Sequence, residues 1–378
     1  MMRGIIFMQK KVNASHGIVC RLPEDPLGYF GWPSIAKMDD GTLVAASSGL
    51  RRYHVCPWGK TVLHFSKDNG KTWSDSVIVN NSPIDDRDAG VISLGGKKLL
   101  VSWFTSDTRI YLESEWLKKT MSKEDHEEFV KEVSSWNDEM VYSHLGSWIR
   151  ISEDGDAWGD PIRVPVTAPH GPIKLANGHI LYFGKGVVTG DKFHSELRNG
   201  AIKSVISKDG GLSWEIIGEV PISGDTEAAN YHEPHVVELS SGKLIGMIRY
   251  QHSENIKKYD SFTMFQTESN DGGKTWSMAK PTGVSGSPPH LLRHSSGAII
   301  CVYGYRKEPY GERAMISYDE GKTWNTDYIL RDDAPDGDLG YPSSVELDDG
   351  SIFTLYYQKY SAGEKTSLLW TRWRLPER

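Results

Sequence analysis

Glu233 and Arg249 stand sixteen residues apart in Tyr231-His-Glu-Pro-His-Val-Val-Glu-Leu-Ser-Ser-Gly-Lys-Leu-Ile-Gly-Met-Ile-Arg249. The pattern predicts a strand over 236–239, a tight Ser241-Gly242 turn and a second strand over 244–248. Antiparallel pairing then returns Arg249 to the edge where Glu233 begins. A carboxylate held by a guanidinium can serve as a base. Beside a phenol it can take the phenolic proton and so make a nucleophile. Tyr341, in Gly340-Tyr-Pro-Ser-Ser, occupies the same place before another hairpin. Taken singly, Glu233 reads as a turn carboxylate in a surface ion pair and Tyr341 as a rim aromatic. The elements that carry them decide whether they meet.

Six hairpins of this kind run along the chain, with turns at Asp40-Gly41, Gly95-Gly96, Asn177-Gly178, Ser241-Gly242, Ser296-Gly297 and Asp349-Gly350. Between them lies a second repeat, Ser66-Lys-Asp-Asn-Gly-Lys-Thr-Trp73, which recurs at 207–214, 269–276 and 317–324 and, one residue short, at 152–158. Asp and Gly form such a turn, and Trp anchors it by burial. Two repeats out of phase give the unit hairpin, third strand, Asp/Trp turn, fourth strand. Repeated radially, that unit is the blade of a β-propeller. The sequence therefore predicts an all-β, six-bladed propeller of four-stranded antiparallel blades, one domain over 1–378. The sixth blade lacks the Asp/Trp turn and is expected to close with an N-terminal strand over 16–21.

In that topology the first-strand starts and second-strand ends share one face, and the Asp/Trp turns lie on the other. Trp32, Arg87 or Asp88, His170, Glu233, Pro288 and Tyr341 then ring a central pocket. Loops over 49–60, 105–146, 184–200, 249–260 and 304–313 come to the same face. One of them carries an insertion over 106–143, in which Ser122-Lys-Glu-Asp125 is a capping signature opening a helix. It reads either as a lid over a sugar site or as a solvated decoration or dimer contact. Because it lies outside the propeller core, its removal is expected to leave thermal stability nearly unchanged.

Composition excludes several classes. With 38% hydrophobic residues, 38 Gly and 13 Trp among 378 residues, the chain is too apolar for disorder and suits many short strands. A formal net charge of -7 leaves no basic footprint for nucleic acid. No apolar run has the length of a membrane span or a signal-peptide core, so a cytoplasmic protein is expected. Cys20, Cys56 and Cys301 are odd in number and far apart, which argues against a disulfide framework. His232, His235 and His252 lack compact ligand spacing, and neither a metal nor another cofactor is expected.

The Asp/Trp turns and the Glu-hairpin-Arg segment resemble the sialidase-like superfamily, in which the turn is called the Asp-box. The resemblance spans nearly the whole chain. It implies an exo-acting glycoside hydrolase with Tyr341 as nucleophile, Glu233 as its base and a cluster of arginines holding the carboxylate of an anionic terminal sugar. Arg249 matches the clamp arginine that ends the hairpin. Arg313 matches the one upstream of the last Asp-box, with Arg306 as competitor. Two features depart from the pattern. Gly31-Trp32-Pro33 stands where a clamp arginine belongs, leaving Arg51, Arg52 or Arg87 to compensate. The first-blade loop over 49–60 offers His54 but no acidic residue. Asp88 is the best-placed replacement acid, with His54 and His170 as alternatives. A sialic or related ulosonic acid is the first substrate class and a uronic acid the second. A uronic-acid polysaccharide lyase and a non-catalytic carbohydrate-binding propeller stand as alternatives.

Overall fold

The structure, a computed structural model, describes residues 10–187, 200–252 and 258–377. The expected loops over 184–200 and 249–260 fall partly outside the described residues. Six antiparallel sheets follow one another along the chain as the blades of a propeller. Blade 1 is Tyr29–Lys37, Leu43–Arg51, Lys60–Ser66 and Val77–Asn80; blade 2 is Asp85–Gly95, Lys98–Ser106, Ser147–Ser152 and Ile162–Val164. Blade 4 is Tyr231–Glu238, Leu244–Tyr250, Thr263–Ser269 and Lys280–Ser285. Blade 5 is Pro289–Arg293, Ile299–Tyr305, Gly311–Ser317 and Asn325–Arg331, with Lys10–Lys11 added in parallel at its outer edge. Blade 6, Gly340–Glu346, Ile352–Lys359 and Thr366–Trp373, is closed by Ala14–Cys20, which covers the free edge as expected. The N-terminal segment thus ties blade 5 to blade 6, a link the sequence pattern did not suggest.

Blade 3 departs from the rule. Its inner strand is split into Val166–Thr167 and Ile173–Lys174, both paired with Ile180–Gly186, followed by Ile202–Ser207 and Glu215–Glu219. The break carries His170 and Gly171. Gly171 adopts φ 72°, and a Cβ on the neighbouring Gly90 would come within 2.5 Å of its nitrogen. Only glycine fits this close approach of two inner strands.

The Asp/Trp turns join third to fourth strands on the face away from Glu233 and Tyr341, and their geometry explains the spacing. Asp68 accepts from the Thr72 N–H (2.9 Å), the Thr72 hydroxyl (2.6 Å) and the Ser66 hydroxyl (2.8 Å), while the Trp73 indole donates to the Gly70 carbonyl (3.1 Å). Asp209, Asp271 and Asp319 repeat the pattern. Those hydrogen bonds, above all from the residue four positions on, hold all four carboxyls down at about 2. These turns are structural.

Between blades the packing is aromatic and aliphatic. Phe30, Trp32, Phe353, Leu355 and Tyr357 fill the seam of blades 1 and 6, all almost fully buried. The insertion forms a 3-10 turn (Thr108–Tyr111) and three helices, α1 (Glu115–Thr120), α2 (Lys123–Ser134) and α3 (Asp138–His144). Ser122 caps α2 as expected, accepting from the Asp125 N–H. Leu117, Phe129, Val133 and Val141 pack on Val55, Ile84 and Val187 of the propeller loops. The insertion therefore shares a core with the propeller, which corrects the expectation that it lies outside.

Candidate functional site

The reactive side chains are aimed by one local device used four times. In blade 4, His232 pairs with Arg249 but His235 pairs with Met247, so Glu233 and Pro234 oppose a single residue. The same bulge recurs at Trp32 in blade 1, Asp88 in blade 2 and Tyr341 in blade 6. The first bulge residue is left-handed each time, with φ of 52° at Trp32, 51° at Asp88, 45° at Glu233 and 51° at Tyr341. Such a conformation costs a non-glycine residue roughly 1–3 kcal/mol, and four instances around one axis point to function. The bulge re-aims each side chain toward the axis. The sequence pattern placed these residues just before their strands; they lie within them.

Two of the four make the central contact. The Tyr341 hydroxyl donates to Glu233 Oε1 at 2.7 Å, and Arg249 Nη1 donates to Glu233 Oε2 at 2.5 Å. Arg249 Nη2 binds Gln251 at 2.8 Å, fixing the guanidinium plane. Burial pushes the Glu233 pKa up, but the Arg249 charge and the two hydrogen bonds outweigh it and hold the carboxyl below its usual range. Burial, reinforced by Glu233 and Asp88, raises the Tyr341 phenol well above its ordinary value. The pair is thus a protonated phenol hydrogen-bonded to an ionised carboxylate, an arrangement in which the carboxylate can take the phenolic proton.

Asp88 comes to the same centre in the opposite state. It is 8% exposed and accepts no hydrogen bond from a described residue. Burial lifts its pKa to about 7; Arg87 opposes this and Glu233 adds to it. A carboxylic acid protonated near neutrality beside an ionised one separates acid from base. Arg87 lies 4.1 Å over the Trp32 ring and donates to the His54 carbonyl at 3.1 Å.

The remaining expected site residues divide. Arg51 is completely buried, binding both Asp85 oxygens (2.5 and 3.0 Å), so it braces the site from behind. His54 reaches neither Tyr341 nor Glu233; its Nδ1 meets Asp338 (3.2 Å) and the Tyr29 hydroxyl (3.0 Å), and burial lowers its pKa. His170 is 3% exposed, bonded through Nδ1 to Ser34 (3.0 Å), and lies 5.1 Å from the His290 ring and 6.5 Å from the Tyr341 ring. With His235 and His290 it floors the axis, and burial keeps all three neutral. Arg313 is not brought to the centre. It donates to the carbonyls of Arg331 and Pro309 and stacks on Tyr305. Its competitor Arg306 is: the guanidinium lies 5.9 Å over Tyr341, fixed by the Ser287 and Leu339 carbonyls at 2.5 and 2.6 Å. Arg313 loses because it stands in the third strand, one further from the axis and paired on both sides, whereas Arg306 follows the second strand directly.

Lys185 escaped the sequence reading. It is 2% exposed in blade 3, donates to the Tyr231 carbonyl at 2.7 Å and meets His232 Nδ1 at 3.4 Å. Burial lowers its pKa to about 7, against the pull of Glu233. It pins the strand that presents Glu233. A lysine within an apolar strand, Ile180-Leu-Tyr-Phe-Gly-Lys185, was the available signal. Among the described residues, no group of three or more His, Cys, Asp or Glu is arranged to hold a metal ion, and no helix is long and apolar enough to cross a membrane.

A model of the BNR repeat-like domain matches residues 128–354. The chain belongs to that family. Among curated relatives, a sialidase of Paraclostridium sordellii is 25% identical over 277 residues, covering 67% of this chain and 58% of its own length. The chain thus spans less than two thirds of that relative. Among solved structures, a protein of unknown function from Dyadobacter fermentans superposes with a TM-score of 0.73 at 21% identity, over 96% of this chain and 98% of that one. Trypanosoma rangeli sialidase in complex with sialic acid gives 0.61 at 18% identity, over 96% and 59%. These likenesses establish a sialidase-like propeller fold.

Proposed function

We propose that this protein is a retaining, exo-acting glycoside hydrolase for a terminal anionic sugar, a sialic or related ulosonic acid first and a uronic acid second. The observation that carries the reading is the 2.7 Å hydrogen bond from Tyr341 to a Glu233 that Arg249 keeps ionised. In the first half-reaction Tyr341 Oη attacks the anomeric carbon while Glu233 takes the phenolic proton. Asp88 gives its proton to the glycosidic oxygen as that bond breaks. In the second, water attacks the anomeric carbon of the glycosyl-tyrosine, Asp88 takes the proton of water, and Glu233 returns its proton to the departing phenolate. The double displacement retains configuration.

The charge balance favours an anionic substrate. Arg249 and Arg306 adjoin the pair, against one ionised carboxylate, Glu233, when Asp88 is protonated; Arg87, beside Asp88, is held by Asp85 at 3.5 Å. A sugar carboxylate completes this array, and guanidinium is the group that holds it with two parallel hydrogen bonds. Gly31 stands where the sialidase-like pattern has an arginine, so the carboxylate is gripped from the Arg249 and Arg306 side. A screen against aryl glycosides of sialic, ulosonic and uronic acids, with an unsaturated-product absorbance assay alongside, tests the reading. Release of aryl alcohol from one anionic glycoside supports it. An unsaturated product marks a lyase, and neither signal leaves a binding propeller.

A further inference from the structure

We infer that a cleft beside the reaction centre, walled by the helical insertion, is a subsite for an uncharged sugar on the leaving-group side; this rests on the glycosidase reading above. The cleft encloses about 740 Å³ between blade 1, blade 6 and the insertion, lined by Tyr29, Tyr53, His54, Trp116, Asp338 and Lys359 among others. That volume falls within the roughly 300–1,000 Å³ of small-ligand pockets. An unbroken run of rings links it to the nucleophile. Tyr341 meets Trp32 at 6.5 Å, Trp32 meets His54 at 5.0 Å, and His54 meets Trp116 at 6.2 Å. Arg87, the neighbour of the acid Asp88, stacks on the same Trp32. The cleft therefore lies on the Trp32 side of the nucleophile, and in an exo-acting site a second sugar ring belongs to the leaving group.

The wall chemistry selects the ligand. Trp116 is 50% exposed on α1, where the adjoining Leu117 is fully buried against α2 and Ser114 caps the helix. A large indole held rigidly and left uncovered suits the apolar C–H face of a sugar ring. Most charges of the wall are paired. Lys359 pairs with Asp336 at 2.6 Å, Arg52 with Asp125 at 2.9 Å, and Glu364 with Arg21 at 2.7 Å. Asp338 accepts from Tyr29, Tyr357 and His54, and the Lys365 ammonium is held by the carbonyls of Asp25 and Pro26. The wall's three cations, Arg52, Lys359 and Lys365, balance its three carboxylates, Asp336, Asp338 and Glu364, so no net charge calls for a counter-ion from the ligand, while the carboxylate oxygens, the imidazole and the phenols can exchange hydrogen bonds with hydroxyls. An uncharged, hydroxyl-rich ring answers both features.

The test separates this inference from the glycosidase reading by measuring binding without turnover. Lactose, maltose and cellobiose are titrated into the full-length Tyr341→Phe protein by calorimetry, with Trp116→Ala, Trp116→Phe and Arg249→Lys added singly. Saturable binding of at least one disaccharide, weakened about tenfold or more by Trp116→Ala, largely restored by Trp116→Phe and unmoved by Arg249→Lys, is the expected result. It stands even if no anionic glycoside is hydrolysed. Absence of saturable binding to all three overturns the inference, as does binding indifferent to Trp116→Ala in a variant of unchanged Tm. A parent dimer that Trp116→Ala splits into monomers overturns it too, since the indole would then belong to an interface between copies.

Discussion

Asp88→Asn separates catalysis from stability in opposite directions. The side chain is 8% exposed and its carboxyl is lifted to about 7 from an ordinary 3.8. A folded-state pKa above the unfolded one means that the proton is held more tightly in the fold. The stability this group contributes is complete below about pH 4 and is lost as pH rises through 7. At pH 8 the parent must bury an ionised, unpaired carboxylate. Three pKa units at 1.36 kcal/mol each set an upper limit of roughly 4 kcal/mol on the penalty. With about 2.1 cal/mol/K per residue of unfolding entropy, that is a Tm difference of roughly 5 °C for a chain this long. Asn has nearly the same shape and tolerates the left-handed backbone that Asp88 adopts. The variant should therefore melt up to about 5 °C higher than the parent at pH 8 and equal to it at pH 4. Its kcat/KM should fall about 10²-fold or more on substrates with poor leaving groups, and much less on activated aryl glycosides. The parent's alkaline limb near pH 7 should vanish. Scanning calorimetry at both pH values and pH profiles on two leaving groups check this. A variant that keeps the limb, or melts lower at pH 8, would refute the assignment of Asp88 as the acid.

Three further outcomes follow from the same geometry. Arg249→Lys keeps the charge but loses the planar fork that holds both Glu233 and the sugar carboxylate, so KM should rise more than kcat falls, read from steady-state kinetics on the hydrolysed glycoside. Arg51→Met leaves Asp85 fully buried and unpaired by its main partner, and urea unfolding should show a loss of about 3–5 kcal/mol. Replacing residues 107–146 by a short Gly-Ser link uncovers Val55, Ile84 and Val187, each now at most 8% exposed. At about 1.5–3 kcal/mol per uncovered side chain, Tm should drop by at least 5 °C.

What the sequence revealed was what local chemistry dictates. The Asp-boxes were legible because Ser, Asp, Gly and Trp close the turn on themselves, so spacing alone specifies the hydrogen bonds. The Glu233–Arg249 pair was legible because one tight turn sets its register, and Tyr341 because a radial repeat puts equivalent positions around one axis. Strand bounds were less so: a bulge carries Glu233 inside the strand, and no residue type announces a bulge. The choice of Arg306 over Arg313 depends on which loop turns back toward the axis, fixed by the Ser287 and Leu339 carbonyls of neighbouring segments. Lys185, the His170–His235–His290 floor and the Trp116 cleft all arise between blades. Their residues lie far apart in the chain, and contacts of that kind leave no spacing to read. The insertion misled for a related reason, since its apolar residues are thinly spread among charges and only three-dimensional packing gathers them.

The central claim is that Tyr341, activated by Glu233, bonds to the sugar. Its most direct measurement is covalent trapping with 2,3-difluorosialic acid and with 5-fluoro-glucuronosyl fluoride, followed by intact-mass and peptide mass spectrometry. The account predicts one glycosyl unit per chain from the probe matching the hydrolysed substrate, located on Tyr341 and absent from Tyr341→Phe. A label on Glu233 or Asp88, or a Tyr341→Phe enzyme within a few-fold of parental turnover, would contradict it.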